Sequence, residues 1–185
     1  MNKRSSFQDI GLPKNHAYPT LTYHPQTGSI IALTRPVTES RTPCHRLSIR
    51  RLEEARYSPI GNFPPQVDVT SFALSPKLPV LYLNTFFWKE CELGFNPPGG
   101  DWDALYRFNL NTQQSEVVAR PGELISPGNP TRVWLNDVIS VDENGRAVFC
   151  KTGIFKEGKA DYFLVKLTVE DRKLELLTRL EAVSA

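Results

Sequence analysis

The chain has 185 residues, which is enough to bury a substantial core in one large domain. Its 22 basic and 20 acidic side chains nearly balance at a net charge of +2, so the surface has no strong attraction for phosphate backbones and nucleic acid is not a favoured partner. The 15 prolines argue against long helices and for many turns, because each proline lacks a backbone N–H donor.

Residues 1–17 form a predicted N-terminal extension. Lys3 and Arg4 are not followed by an apolar run, so no secretory signal is indicated. No stretch reaches the roughly 18 apolar residues that a membrane-spanning helix needs. The three cysteines, Cys44, Cys91 and Cys150, are odd in number and form no C-x-x-C pair, which predicts free thiols and a cytoplasmic location.

Three segments repeat one pattern, in which an apolar strand, a polar turn and a second apolar strand follow each other. They are Leu21 to Thr34, Phe72 to Thr85 and Ile139 to Thr152. The turns begin at matching places, with His24-Pro25, Ser75-Pro76 and Asp142-Glu143. Proline in the second place pre-sets φ for a tight turn, and Gly28 and Gly145 can supply a positive φ. Each segment is therefore predicted to be a β-hairpin, and a turn role is predicted for His24.

A third strand is predicted after each hairpin, at His45 to Leu52, Ala104 to Leu110 and Tyr162 to Val169. Apolar and polar residues alternate in the last two, which is typical of half-buried strands. Fourth strands are predicted at Ser115 to Ala119 and Leu174 to Thr178, with Tyr57 to Ile60 as the only candidate in the first unit. The basic residues around the first of the third strands, including Arg46, Arg50 and Arg51, favour a solvated edge strand.

The predicted fold is all-β, with three four-stranded antiparallel propeller-like blades at about 18–62, 66–120 and 132–180 and a tail at 181–185. A sandwich of twelve short strands is the alternative. The apolar, Ser-Pro turn, apolar pattern at 72–85, followed by the segment Leu105 to Thr112, resembles the repeats of TolB-type six-bladed propellers. The resemblance spans about residues 18–180 and implies blade architecture. It implies no activity, since propellers host unrelated functions.

Three blades do not close a ring, because known propellers have roughly four to eight. The flat outer sides of the first and third blades are expected to carry apolar side chains. We therefore expect the ring to be completed by a second copy in a homodimer or by further blades of a parent protein.

The segment Trp88 to Trp102 is a candidate ligand site. It contains Trp88, Phe95 and Trp102 beside a stiff Pro-Pro pair, and aromatic side chains on a long loop suit a peptide or sugar ligand. The alternative is that these aromatics only cover a blade edge.

Asn136 and Asp137, with the turn Asp142 to Arg146, resemble a short motif of gluconolactonase and strictosidine-synthase-like propellers. That resemblance implies a divalent metal in the channel, calcium or zinc, held by Asn136 and Asp137 and polarising a lactone carbonyl. Asp68, His16 and Tyr18 fall near the aligned place in the other repeats. The alternative is that Asn136 and Asp137 form an Asx-type turn before a strand.

The preferred functional prediction is a non-catalytic binding or assembly module that presents a propeller face to a protein, peptide or small ligand, without a cofactor. The alternatives are a metal-assisted hydrolase of the lactonase type and a fragment of a larger propeller enzyme. Neither a G-x-S-x-G elbow nor a phosphate-binding loop is present.

Overall fold

A computed structural model describes residues 16–36, 45–61, 63, 67–87, 103–120, 123–124, 133–156 and 159–180. These residues form strands and turns, and they include no helix that is long and apolar enough to cross a membrane. The all-β prediction is confirmed. Twelve strands pair into three four-stranded antiparallel sheets, which we call sheets I, II and III.

Sheet I contains β1 (His16–His24), β2 (Ser29–Pro36), β3 (Arg46–Arg51) and β4 (Ser58–Pro59). Sheet II contains β5 (Val67–Leu74), β6 (Val80–Phe87), β7 (Ala104–Asn109) and β8 (Ser115–Ala119). Sheet III contains β9 (Val133–Val141), β10 (Ala147–Lys156), β11 (Lys159–Thr168) and β12 (Lys173–Leu180). In each sheet the strands lie in chain order, each paired with the next, as in a propeller blade. Among the described residues, sheet II contacts both sheet I and sheet III, and sheets I and III make no comparable contact with each other.

The three predicted hairpins are confirmed as β1–β2, β5–β6 and β9–β10. Gly28 and Gly145 adopt positive φ values of 60° and 64° in the first and third turns. The first residue of each of the second and third turns stabilises that turn through its own set of side-chain hydrogen bonds to the backbone. Ser75 Oγ accepts the Leu78 N–H at 3.3 Å, and Asp142 Oδ1 accepts the N–H groups of Arg146 and Ala147 at 2.6 and 2.8 Å.

β3 lies inside sheet I, which corrects the edge-strand interpretation of its basic residues. It pairs with β2 along its whole length and with the short β4 at Ser48 and Ile49. The guanidinium group of Arg46 donates to the Val67 carbonyl of sheet II, and that of Arg50 lies 5.4 Å from the centre of the Tyr57 ring. These charges thus serve contacts within the fold as well as solvation.

The sheets stack through two apolar clusters. Successive side chains of a strand point to opposite faces, so each sheet has one face toward the sheet before it in the chain, its N-side face, and one toward the sheet after it, its C-side face. The cluster at junction I–II joins the C-side face of sheet I, with Ile31 and Leu47, to the N-side face of sheet II, with Leu81 and Phe108. The cluster at junction II–III joins Tyr82 and Leu105 to Val148 and other residues of sheet III.

A threonine recurs at one place in all three units. Thr34, Thr85 and Thr152 are the buried last residues of the three repeated segments. The Thr34 hydroxyl donates to the carbonyl of Arg46, its partner on the third strand, at 3.4 Å, and the Thr85 hydroxyl donates to the carbonyl of its partner Ala104 at 3.2 Å. The repetition extends from the hairpins to individual side-chain bonds.

Candidate functional site

The first strand of every sheet contains a β-bulge near the recurring threonine. The register shifts between Ala17 and Thr20 in β1, between Val69 and Ser71 in β5, and between Leu135 and Asp137 in β9. The extra residues are 18–19, Thr70 and Asn136. Bulges re-aim side chains and are frequent beside binding sites. They place residues 18–19, Thr70 and Asn136 at equivalent positions, beside the candidate residues Tyr18, Asp68 and Asn136.

Asn84 connects two of these bulges. Its side chain is buried, and Nδ2 lies 3.0 Å from the Leu135 carbonyl oxygen, 3.1 Å from that of Asn136 and 3.2 Å from Thr70 Oγ1. Close by, Ser71 Oγ accepts the Val138 N–H at 2.8 Å. The amide and the hydroxyl therefore fix β9 of sheet III against sheet II.

The structure corrects the Asx-turn alternative for Asn136 and Asp137, because both residues lie inside β9 and do not precede it. Asn136 is exposed, and its Oδ1 accepts the Gly153 N–H of β10 at 3.0 Å. Asp137 is half-buried opposite Lys151. The described residues contain no group of three or more His, Cys, Asp or Glu side chains that could hold a metal ion. The two-residue metal site stays a prediction.

Asp68 and His45 form a pair at junction I–II. Asp68 is 8% exposed, and its Oδ1 lies 2.5 Å from the backbone nitrogen and 3.0 Å from Nδ1 of His45. The carboxylate thereby orients the imidazole ring, whose side chain is 31% exposed. Sequence reasoning selected Asp68 but missed His45, since the two residues are 23 positions apart, with Asp68 in β5 of sheet II and His45 just before β3 of sheet I.

The other predicted site residues are placed only in part. His16 and Tyr18 lie in β1, where the structure describes their backbone. Trp88, Phe95 and Trp102 lie outside the described residues, as do Cys44 and Cys91. The aromatic ligand site therefore stays a prediction.

His24 has the predicted turn role and a second role between sheets. Its ring is buried, with Nδ1 3.0 Å from Thr27 Oγ1 in its own turn. Nε2 lies 3.1 Å from the Leu78 carbonyl and 3.3 Å from the Ser75 carbonyl, both in the turn of sheet II. Because carbonyl oxygens only accept, Nε2 carries a proton and donates. The ring joins the turns of sheets I and II.

Tyr82 makes the corresponding bond at junction II–III. Its hydroxyl donates to the Gly145 carbonyl, in the turn of sheet III, at 2.6 Å. Burial raises the pKa of the phenol above its usual 10.0, so it remains a donor across the neutral range. Burial, helped by the charge of Asp137, also raises the pKa of the free Cys150 thiol to about 12, which leaves it protonated and a poor nucleophile.

Cavities among the described residues are small or open. One of about 30 Å³ lies between sheets II and III beside Asn84, Thr85 and Asp103, which is room for about one water molecule. An open groove of about 410 Å³ runs over the turns of sheets I and II beside Gln26, Arg51 and Glu53. Its lining is polar and solvent-facing, so it lacks the enclosed apolar walls of a typical small-molecule site.

Three large side chains on the N-side face of sheet I are more exposed than their counterparts in sheets II and III, although Ala32 on the same face is fully buried. The partner pair Tyr23 and Ile30 corresponds to Leu74 and Leu81 of sheet II and to Val141 and Val148 of sheet III. Leu81 and Val148 are fully buried, whereas Tyr23 is 52% exposed and Ile30 is partly exposed. Leu21, the counterpart of Phe72, is 45% exposed. These three side chains, Leu21, Tyr23 and Ile30, form what we call end face I.

The C-side face of sheet III differs from its counterparts in the same way. Phe149 corresponds to the fully buried Ile31 and Tyr82, and Leu164 corresponds to the buried Leu47 and Leu105. Phe149 and Leu164 are both partly exposed. Beside them are Lys151, 4.8 Å from the centre of the Tyr162 ring, and Lys166. These four side chains, Phe149, Lys151, Leu164 and Lys166, form end face III.

No protein-family model matches the chain, and the search of curated proteins finds no relative. Among solved structures, the chain is similar to TolB from Acinetobacter baumannii at 10% identity and a TM-score of 0.39. The match covers 92% of this chain and 46% of TolB, so the chain spans about half the length of that protein. The propeller-like description rests on the strand pairing and stacking of the chain itself.

Proposed function

We propose that this chain is a non-catalytic assembly module that binds further four-stranded sheets of its own kind through end faces I and III. The observation that carries the proposal is the difference in exposure between equivalent positions. Tyr23 is half in water, while Leu74 and Val141 pack in the two apolar clusters. A further sheet stacked on either end would bury these side chains as the internal junctions bury theirs.

The expected free-energy gain supports stacking. Fully burying a large apolar side chain contributes about 1.5–3 kcal/mol, and the two end faces together carry Leu21, Tyr23, Ile30, Phe149 and Leu164. Contiguous apolar surface of this kind, bordered by charged residues, is typical of protein interaction sites. Lys151 and Lys166 supply such a border on end face III.

The polar groups of the inner strands support structural roles. Hydrogen bonds to backbone groups of neighbouring strands are made by the side chains of Asn84, Ser71 and Asn136. The Cys150 thiol lies in the core and is protonated. A peptide or small ligand at Trp88, Phe95 and Trp102 is a compatible addition to this proposal. The lactonase-like function with calcium or zinc at Asn136 and Asp137 is the alternative to it.

Sedimentation velocity of the full chain at several micromolar concentrations tests the proposal. We expect association that weakens at least tenfold in Tyr23→Glu and in Phe149→Glu, because each substitution places a charge where stacking would remove water. Gln114→Glu is the matched control. Gln114 is exposed in the turn between β7 and β8 of sheet II, whose two faces pack against sheets I and III, so its substitution leaves association unchanged.

A monodisperse monomer at every concentration, unaffected by either substitution, would contradict self-assembly through these faces. Circular dichroism of the variants provides the folding control. Association that responds equally to Gln114→Glu would assign the contact to some other surface.

A further inference from the structure

We infer that the sheet bound by end face III is sheet I of a second copy of this chain, so that two copies stack end to end twice and enclose a two-fold axis. This inference rests on the proposed function and names its partner. In the described part of the chain, one copy carries both halves of the same kind of junction: a partly exposed apolar C-side face on sheet III and a partly exposed apolar N-side face on sheet I. Two copies supply six sheets, within the roughly four to eight of closed propellers.

The two faces match the internal junctions position by position. At junctions I–II and II–III, the residue equivalent to Phe149 is Ile31 or Tyr82, and it packs in a cluster with the residue equivalent to Ile30, which is Leu81 or Val148. Phe149 stacked on Ile30 and Tyr23 of a second copy would reproduce this arrangement with side chains of the same apolar character.

Lys151 supplies the polar counterpart. It occupies the position of Asn84, which donates to the carbonyls of Leu135 and Asn136 at the bulge of β9. β1 has its own bulge at the equivalent place, residues 18–19. The ammonium group of Lys151 is a donor as the Asn84 amide is, so it meets carbonyl acceptors on β1 of the second copy.

The turns give a way to detect the junction. At junction II–III, Lys77 Nζ forms an ion pair with Glu143 Oε2. Lys77 is the second residue after Ser75, which begins the turn of sheet II, and Glu143 is the first residue after Asp142, which begins the turn of sheet III. The equivalent pair at junction I–II is Gln26 and Pro76, and at the inferred junction it is Asn144 of one copy and Pro25 of the other. Pro25 and Asn144 are both exposed, so cysteines there are accessible to a thiol reagent.

The experiment mixes two full-length chains that carry different tags, one with Pro25→Cys and one with Asn144→Cys, both with Cys44 and Cys91 replaced by serine. A short bis-maleimide should join them into a covalent heterodimer with a yield at least tenfold above that of either variant alone. A chain with both Gln26→Cys and Pro76→Cys, which cross-links within itself at junction I–II, calibrates the yield.

The outcomes separate this inference from the proposed function. Association that responds to Tyr23→Glu without the heterodimer cross-link overturns the inference and leaves assembly standing. A covalent dimer from Pro25→Cys or Asn144→Cys alone places like faces together and also overturns it. In a chain that carries both Pro25→Cys and Asn144→Cys, a single dimer band supports the two-copy ring, whereas a ladder of longer species indicates open stacking and overturns closure. Absence of any association overturns both proposals.

Discussion

Junctions I–II and II–III share the same apolar packing between facing sheets but use different polar side chains to connect the sheets. Both bury an apolar cluster between facing sheets, and at both a side chain of the earlier sheet donates to a carbonyl in the turn of the next. At junction I–II the donor is His24, itself a turn residue, and at junction II–III it is Tyr82, from the middle of β6. The comparison indicates that the repeat preserves apolar positions and acceptor carbonyls, while the donors are particular to each junction.

Leu81→Ala is expected to have the largest effect, at junction I–II. Leu81 is fully buried in the cluster between sheets I and II, and truncating such a residue costs about 2–5 kcal/mol of unfolding free energy. Urea denaturation measures the loss. Hydrogen exchange should show sheet I losing more protection than sheet III; equal loss in both would mean that the junctions open together.

Asn84→Ala tests the polar links of junction II–III. The substitution leaves the carbonyls of Leu135 and Asn136 without their Asn84 donor, and an unsatisfied buried group costs about 1–3 kcal/mol. Here exchange should accelerate in β9 before it does in sheet I. Asn144→Ala, at an exposed turn position, is the control and should lie within about 0.5 kcal/mol of the native chain.

Gly145→Ala and Gly28→Ala separate turn strain from stacking. Both glycines have φ near +60°, where a residue with Cβ costs about 1–2 kcal/mol. A Cβ at Gly145 would also lie 3.1 Å from Leu78 Cδ1 of sheet II, whereas one at Gly28 meets nothing within 4 Å. Thermal denaturation should therefore show the larger loss for Gly145→Ala, and equal losses would mean that Leu78 moves aside freely.

Tyr82→Phe removes the hydroxyl bond to the Gly145 carbonyl and should cost about 0.5–1.5 kcal/mol. It also carries a pH signature. Because burial raises the pKa of Tyr82 in the folded chain, its contribution to stability is complete below the usual value of 10.0 and is lost as the pH rises above it. The free energy of unfolding should fall less steeply in alkali for Tyr82→Phe; parallel curves would remove Tyr82 as the cause.

Lys77→Ala is expected to have the smallest effect. Lys77 and Glu143 connect the turns of sheets II and III, but their side chains are 60% and 66% exposed. Exposed ion pairs contribute about 0.2–1 kcal/mol and weaken with salt. Denaturation in low and high salt measures the contribution, and a loss above that of Tyr82→Phe would reverse the ranking of the two links.

The hairpins and most strands could be predicted from the sequence because their signals are local. Alternation in Ala104 to Leu110 and a proline or glycine in each turn need no knowledge of the neighbouring sheet. The fourth strand at Ser115–Ala119 has the predicted bounds. The first unit was the least clear, and its fourth strand has only the two residues Ser58–Pro59.

The contacts between sheets could not be predicted in the same way. The bulges at Thr70 and Asn136 carry no distinctive residue type, and Asn136 with Asp137 suggested a turn that the structure replaces with a strand. His24 was assigned to its turn, but its bond to Leu78 depends on how two sheets stack across 54 positions of chain. The pairing of His45 with Asp68 has the same origin.

Cys150 lies where sheet III meets sheet II, with its sulfur enclosed by the apolar cluster of that junction. In the described part of the chain it is the one sulfhydryl, and it can be alkylated only during moments when the two sheets part. The rate at which a maleimide alkylates the Cys150 thiol therefore reports how often junction II–III opens. The native sequence thus already carries a probe for the separation of these two sheets.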